Sequence, residues 1–407
     1  MRKILLVLLA CLPLTIFAQG FQVNLEGQKQ IGMGHTGTGL LLDGSSVFFN
    51  PGAVAMLPEN YIQGGISPLW FKSGFVPTGS NVQYNTANKV APPFNVYGVW
   101  GPKAARWKVG LGVYTPYGGL TDWGNTWAGK YVLESLDLKT IFFQPTFSYK
   151  ISDIISVGAG FVYNHGSVNL RRAIPLADAN NPSGEAELKG GGTGYGYNAG
   201  VFIDTKKGLT IGVTYRSKVN TKLNDGDALF TVPNGLKSNF PSPNTFNAQL
   251  PLAATTSIGF GYTPSAKWLL AFDANYVQWD VYKELAFDYA QNTAVLQDTR
   301  SPRNYKNAVS LRAGAQYKAS NQFTLRVGGG YASTPVKDGY VTPEVPDANR
   351  GFYTAGLTYK ASNHFDLDLS FEYEHLSSRT QTNIESNLSG TFKSNVYIPG
   401  IALVYHW

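Results

Sequence analysis

The residue types that most often do chemistry are thinly spread through this chain of 407 residues. Its five histidines, His35, His165, His364, His375 and His406, show no metal-ligand spacing, and no serine sits in a G-x-S-x-G turn. Asp366 and Asp368 would share one face of a strand, where such a pair is more often solvated channel lining than acid–base machinery. The stretch "GMGHTG", Gly32 to Gly37, has the G-x-G-x-x-G spacing of a dinucleotide site. No strand pattern precedes it and no helix-forming stretch follows, so tight turns explain its glycines better. Cys11 is the only cysteine, which removes disulfides and thiolate metal sites. No catalytic residue, metal ligand or cofactor is therefore expected.

The elements that would position anything else begin with a leader. Arg2 and Lys3 precede the apolar run "ILLVLLACLPLTIFA", the layout of a secretory signal peptide with cleavage expected after Ala18. The competing reading takes "LLAC" as a lipobox, with Cys11 lipidated. Without the leader the net charge is about +5, mild and scattered, which argues against nucleic acid as a partner. No later stretch is long and apolar enough for a spanning helix. Aromatic residues make up 14% of the chain, glycines number 45, and charged residues are 14%, against about 25% in soluble proteins. In an exported chain this composition suits an outer-membrane β-barrel, with apolar residues toward lipid and polar ones toward the lumen.

Two-residue alternation supports that reading. In "FDLDLSFEY", Phe365, Leu367, Leu369, Phe371 and Tyr373 take one face and Asp366, Asp368, Ser370 and Glu372 the other. Similar runs ending in aromatics, such as "KVGLGVY", "ISVGAGFVY" and "TSIGFGY", recur along the chain. Six short polar turns separate them, at 101–107, 149–154, 204–209, 262–268, 317–323 and 359–365. With both chain ends on the periplasmic side, six such turns require 14 strands, so the predicted fold is an all-β, 14-stranded antiparallel transmembrane barrel. The less obvious strands are expected over 54–70, 90–101, 107–116 and 139–150, and long extracellular connections over 171–192, 223–251 and 332–350. A lumen of that width would leak if empty. Residues 19–52 either dangle in the periplasm or, the favoured reading, fill the lumen, leaving 53–407 for the barrel. "NPG" at Asn50, Pro51 and Gly52 is read as the turn that ends the luminal segment.

The stretch "GFQVNLEGQKQIGMGHTGTGLLLDGSSVFFNPG" resembles the N-terminal hatch of the FadL family of long-chain fatty acid transporters, which includes importers of aromatic hydrocarbons. The similarity continues through "TPYGGLTDWGNTWAGKYVLESLDLKT", "VTYRSKV", "NYVQWD", "NYKNAVSLRAGAQY" and the terminal aromatic Trp407. The resemblance implies a luminal hatch and gate that includes Phe21, Asn50, Pro51 and Gly52, the glycine standing where the family has alanine and loosening the turn. It implies a carboxylate-binding Arg172 with Arg303 near its cationic partner. It implies an inward kink of the third strand, for which Pro116, Gly118 and Gly119 are suited, since proline removes a ladder donor and glycine permits a bulge. In the connection 223–251, Phe230, Val232, Leu236, Phe240 and Phe246 form an apolar patch of the kind that marks a binding site, or else a loop packed on itself.

The implied function is passive uptake of long-chain fatty acids or similar hydrophobic compounds, by capture at the outer loops, transfer to a luminal apolar pocket and hatch-gated lateral release. Each methylene withdrawn from water gains about 0.8 kcal/mol, so a chain of roughly sixteen carbons gains on the order of 10 kcal/mol. An importer of aromatic hydrocarbons, a diffusion porin and a barrel lipase are the rivals. Expected partners are the ligand, outer-membrane lipid and lipopolysaccharide, and the barrel assembly machinery through Trp407; a monomer is expected.

Overall fold

The computed structural model describes residues 20–176 and 183–407, so the leader, its cleavage after Ala18 and the Cys11 alternative lie outside the described residues. Fourteen antiparallel strands form one ring. They are β1 (Tyr61–Ile66, Leu69–Pro77), β2 (Tyr84–Asn85, Val90–Ala91, Phe94–Trp100), β3 (Trp107–Tyr114, Gly118–Asp122), β4 (Ser135–Lys150) and β5 (Ile155–Pro175). There follow β6 (Ser183–Asp204), β7 (Leu209–Arg216, Val219–Thr231), β8 (Asn244–Leu252, Ala254–Ser265), β9 (Trp268–Gln278, Glu284–Tyr289) and β10 (Thr299–Pro302, Ala308–Lys318). The last four are β11 (Phe323–Ala332), β12 (Arg350–Lys360), β13 (Phe365–Thr382) and β14 (Ser389–His406). Each pairs with its sequence neighbours, and β14 closes on β1 from Tyr61↔His406 to Ile66↔Ile401 and from Trp70↔Tyr397 to Pro77↔Gly390. Closure leaves no sheet edge to unpaired backbone groups, the condition for crossing hydrocarbon with strands.

The alternation read from β13 holds: Asp366, Asp368, Ser370 and Glu372 are buried, while Phe365, Leu369 and Phe371 are exposed on the outer face. On β12 the exposed Tyr353 and Tyr359 bracket an outward apolar stretch of roughly 20 Å at strand rise, close to the height of a barrel's lipid band. Strand boundaries differ from the sequence reading in several places, and the strand expected over 139–150 begins at Ser135. The connections expected over 171–192 and 223–251 are largely strand, because β5, β6, β7 and β8 stay paired well beyond the short-turn half of the barrel. The first strand begins at Tyr61 rather than 54, because Pro51–Met56 forms a 3₁₀ helix.

The segment from Gly20 to Leu57 is almost wholly buried and touches the inner wall on many sides. Its only helices are the four-residue α1 (Gln28–Ile31) and α2 (Ser46–Phe49), followed by the 3₁₀ turn. Its backbone groups, cut off from water, are satisfied by side chains of the wall. The amides of Gly37 and Thr38 both donate to Asp273 at 2.9 Å, Tyr97 donates to the Glu26 carbonyl at 2.8 Å, and Gln144 donates to the Val47 carbonyl at 2.6 Å. Close approach is permitted by glycines on β5 to β8 and β10 to β12. Gly158, Gly200, Gly212, Gly259, Gly314, Gly328 and Gly356 all lie where a Cβ would run into this segment.

Candidate functional site

Phe21 is the residue around which the interior is organised. It is 7% exposed and faces an aromatic cage, 6.0 Å from the Trp279 ring and 5.7 Å from Tyr282. Tyr282 in turn meets Tyr305 edge-on at 5.0 Å, and Tyr117 meets Trp279 at 6.1 Å. Beside this cage lies a cavity lined by Phe21, by Leu136 and Leu138 of β4, Leu170 of β5, Leu223 of β7, Leu250 of β8, and Leu285 and Phe287 of β9. Each leucine is contributed by the inward half of a strand's alternation. The free space is about 70 Å³, far below the roughly 300–1,000 Å³ of ordinary ligand pockets. A larger occupant therefore requires side chains of this lining to move.

One cation reaches this apolar cavity. Arg303 is 4% exposed, donates to Glu344 at 3.0 Å and makes a further short hydrogen bond to Ser301. Glu344 arrives on the long connection after β11, which is pinned across the cavity by Thr121 and Trp123 donating to the carbonyls of Glu344 and Pro343 at 3.1 Å each. Arg172 does not line this cavity. It lies further out on β5, beside Tyr289 of the outer aromatic cluster, and makes no ion pair among the described residues. The two arginines paired by resemblance are thus assigned to different neighbourhoods.

That outer cluster gathers most of the apolar loop residues. Phe230, Phe240 and Phe246 are buried together with Ile174, Leu188, Tyr289 and Leu296, with Val232 packed against them; Leu236 stands outside the cluster. The connection packs on itself, leaving these phenylalanines 8% exposed or less. Phe287 joins the cluster to the inner cavity, since it meets Phe246 edge-on at 5.4 Å and lines the cavity with its other neighbours.

Pro116, Gly118 and Gly119 sit where β3 parts from β2. The β2–β3 ladder ends at Asn95↔Tyr114, and Gly118–Asp122 pairs only with β4. Pro116 cannot donate to a ladder, and the backbone it interrupts is taken over by the N-terminal segment: Gly118 donates to the Phe21 carbonyl at 3.1 Å and Val23 to the Pro116 carbonyl at 3.0 Å. On the facing edge, the Thr115 hydroxyl accepts from the Phe94 amide at 3.0 Å. The segment that fills the cavity is therefore hydrogen-bonded to the strand that breaks the wall.

Asn50 holds the end of that segment. Its side chain accepts from the Gly52 amide at 2.9 Å and donates to the carbonyls of Thr38 at 2.9 Å and Val201 at 3.0 Å. Gly52 does not loosen this turn. A Cβ there would lie 2.6 Å from the Gly200 carbonyl oxygen, so glycine at 52 lets two backbones touch. Asp366 and Asp368 are likewise not solvated lining: both are buried, and Lys29 approaches them at 3.2 and 3.7 Å. Trp279, Tyr282, Tyr305 and Glu344 were not singled out from sequence. The first three lie within or beside "NYVQWD" and "NYKNAVSLRAGAQY", where aromatic density was the available signal.

A closed 14-stranded antiparallel barrel with an apolar cavity in its interior and an aromatic outer band defines a class, the outer-membrane transport barrels. Residues 9–407 match the family described as outer membrane protein transport protein (OMPP1/FadL/TodX), and the chain belongs to that family. It is 25% identical to the long-chain fatty acid transport protein of Salmonella typhi, over 92% of this chain and 91% of that one. Among solved structures it superposes on a FadL homologue of Pseudomonas aeruginosa with a TM-score of 0.84 at 19% identity, covering 95% of this chain and 99% of the other. The Pseudomonas putida toluene transporter TodX matches with a TM-score of 0.72 at 15% identity, covering 96% and 98%.

Proposed function

We propose that this outer-membrane barrel carries long-chain fatty acids or similar hydrophobic compounds inward, without an energy source, along an apolar route that water does not share. The observation that carries the reading is the continuity from the outer cluster through Phe287 to the cavity closed by Phe21. A ligand is captured among Phe230, Val232, Leu236, Phe240 and Phe246 and passes to the cavity as Phe21 withdraws. Because the Phe21 and Val23 backbones are tied to Gly118 and Pro116, the same movement frees the strand edge at the β2–β3 break and opens a lateral exit to lipid. In this reading residues 19–52 act as a hatch, with Phe21, Asn50, Pro51 and Gly52 as its gate. Arg172 meets the ligand carboxylate first and Arg303 receives it in the cavity. The residues around the site support carriage rather than catalysis.

A second reading has its own observation. Glu344 already neutralises Arg303, so a neutral ring that enters the cavity leaves that ion pair intact, whereas a carboxylate competes with Glu344 for the guanidinium. Uptake of labelled oleate and of toluene by cells lacking their own importers separates the two: Arg172→Ala lowers oleate uptake and leaves toluene uptake unchanged if the fatty acid reading is right. Free passage of small sugars through the purified protein in liposomes, with only detergent co-purifying, would point to a porin instead. Outer-membrane lipid and lipopolysaccharide are proposed to surround a monomer. Trp407, stacked on Tyr405 at 5.5 Å and exposed at the short-turn rim, is proposed to be read by the assembly machinery.

A further inference from the structure

The short-turn, periplasmic end of the barrel holds a second cavity, of about 340 Å³, separated from the first by the N-terminal segment. Leu41 and Leu42 of that segment and Leu269 of β9 give it an apolar side, and the rest of its lining is polar, charged or aromatic apart from Ala266. The carboxylates there are already engaged. Asp366 lies 3.2 Å from Lys29, and a carboxylate oxygen of Glu59 lies 2.7 Å from the His406 ring.

Arg326 of β11 has no such partner. It is 6% exposed and lines this cavity, yet it donates only to neutral oxygens, those of Gln316 at 2.8 Å and Thr358 at 2.6 Å. Among the described residues no carboxylate lies within ion-pair distance of it, and its second terminal nitrogen has no hydrogen-bond partner. Asp368, Asp43 and Asp366 act on it from beyond ion-pair distance, Asp368 through Thr358, and the terminal nitrogen left open toward the cavity belongs to a guanidinium fork that fits two oxygens of one oxyanion. Around the mouth, Lys267, Lys318 and Lys360 also line the cavity, are exposed, and make no ion pair among the described residues. Each sits at or beside one of the short turns, so the positive field is concentrated at the opening.

We propose that this periplasmic cavity is an oxyanion site for an amphipath. A carboxylate or phosphate headgroup is held by Arg326, drawn in by Lys267, Lys318 and Lys360, and its first carbons lie along Leu41, Leu42 and Leu269. The site is distinct from the Arg303 cavity and stands whether or not the transport reading does.

Isothermal titration of the detergent-purified protein with hexanoate, hexyl phosphate, inorganic phosphate and hexan-1-ol tests it. Hexanoate or hexyl phosphate binds, the tighter of the two indicating a fatty carboxylate or a lipid phosphate as the source, and hexan-1-ol does not. Arg326→Gln weakens binding at least tenfold, and Arg326→Lys retains part of it. The double variant Lys318→Ser/Lys360→Ser disturbs no buried contact, weakens binding several-fold and flattens its dependence on salt. Absence of binding, binding unaltered in Arg326→Gln, or an unaltered salt slope in the lysine variant overturns the site. Inorganic phosphate binding as tightly as hexyl phosphate overturns its amphipathic character.

Discussion

At the scale of single residues, Phe21 and the Arg303–Glu344 pair set opposite demands on the inner cavity. Phe21 fills space that a ligand must take, so Phe21→Ala empties it, and overexpressed Phe21→Ala protein is expected to co-purify with more bound lipid, read by mass spectrometry of extracts. Equal lipid content in both proteins would remove Phe21 as the gate. Arg303 and Glu344 are both largely buried, and deleting one partner leaves the other as an uncompensated charge. Arg303→Gln is therefore expected to cost about 3–5 kcal/mol, seen as a lowered unfolding midpoint, while Arg303→Gln with Glu344→Gln recovers most of it. If the double variant is no more stable than the single one, the ion pair is not what holds the connection after β11 in place.

At the scale of elements, the break in the wall and the packing of the N-terminal segment make separate predictions. Thr115 caps the Phe94 backbone at the break, accepting from its amide and donating back to its carbonyl at 3.3 Å. Thr115→Val keeps the shape and removes both bonds, with an expected loss of about 1–3 kcal/mol in thermal or denaturant unfolding. The glycines of β5 to β12 carry the other prediction. A methyl at Gly314 meets the Met33 backbone and one at Gly212 meets the Thr38 carbonyl. Either alanine variant is expected to push the segment off the wall at a cost of about 1–3 kcal/mol, with the strand ladder intact. Ion conductance in planar bilayers should rise in both variants. Unchanged conductance together with unchanged stability would show that the segment yields without moving.

At the scale of the molecule, the barrel and its contents are held by different forces. The wall closes through its own ladder except at the β3 break, where the segment supplies the backbone partners, whereas the segment from Gly20 to Leu57 is held by buried hydrogen bonds and glycine contacts to the wall. A chain lacking residues 20–57 is expected to fold as a barrel, conduct ions freely, and lose selective uptake of oleate. Failure of that shortened chain to assemble would mean that the segment is required for closure itself.

What was legible in the sequence follows from the range of the interactions involved. Alternation has a period of two and turns are local, so the runs ending in tyrosine and the repeated "YKASNQF" and "YKASNHF" were enough to determine an exported barrel of 14 strands. The FadL-like N-terminal stretch determined the family in the same way, residue by residue. Only the tertiary structure decided that Phe21 meets Trp279, that Lys29 reaches Asp366, and that Glu344 neutralises Arg303. It also decided that strand glycines scattered from 158 to 356 form one bed for the segment. Those partners are brought together by closing a ring and filling it, and a contact made across a ring leaves no period or spacing along the chain from which it could be read.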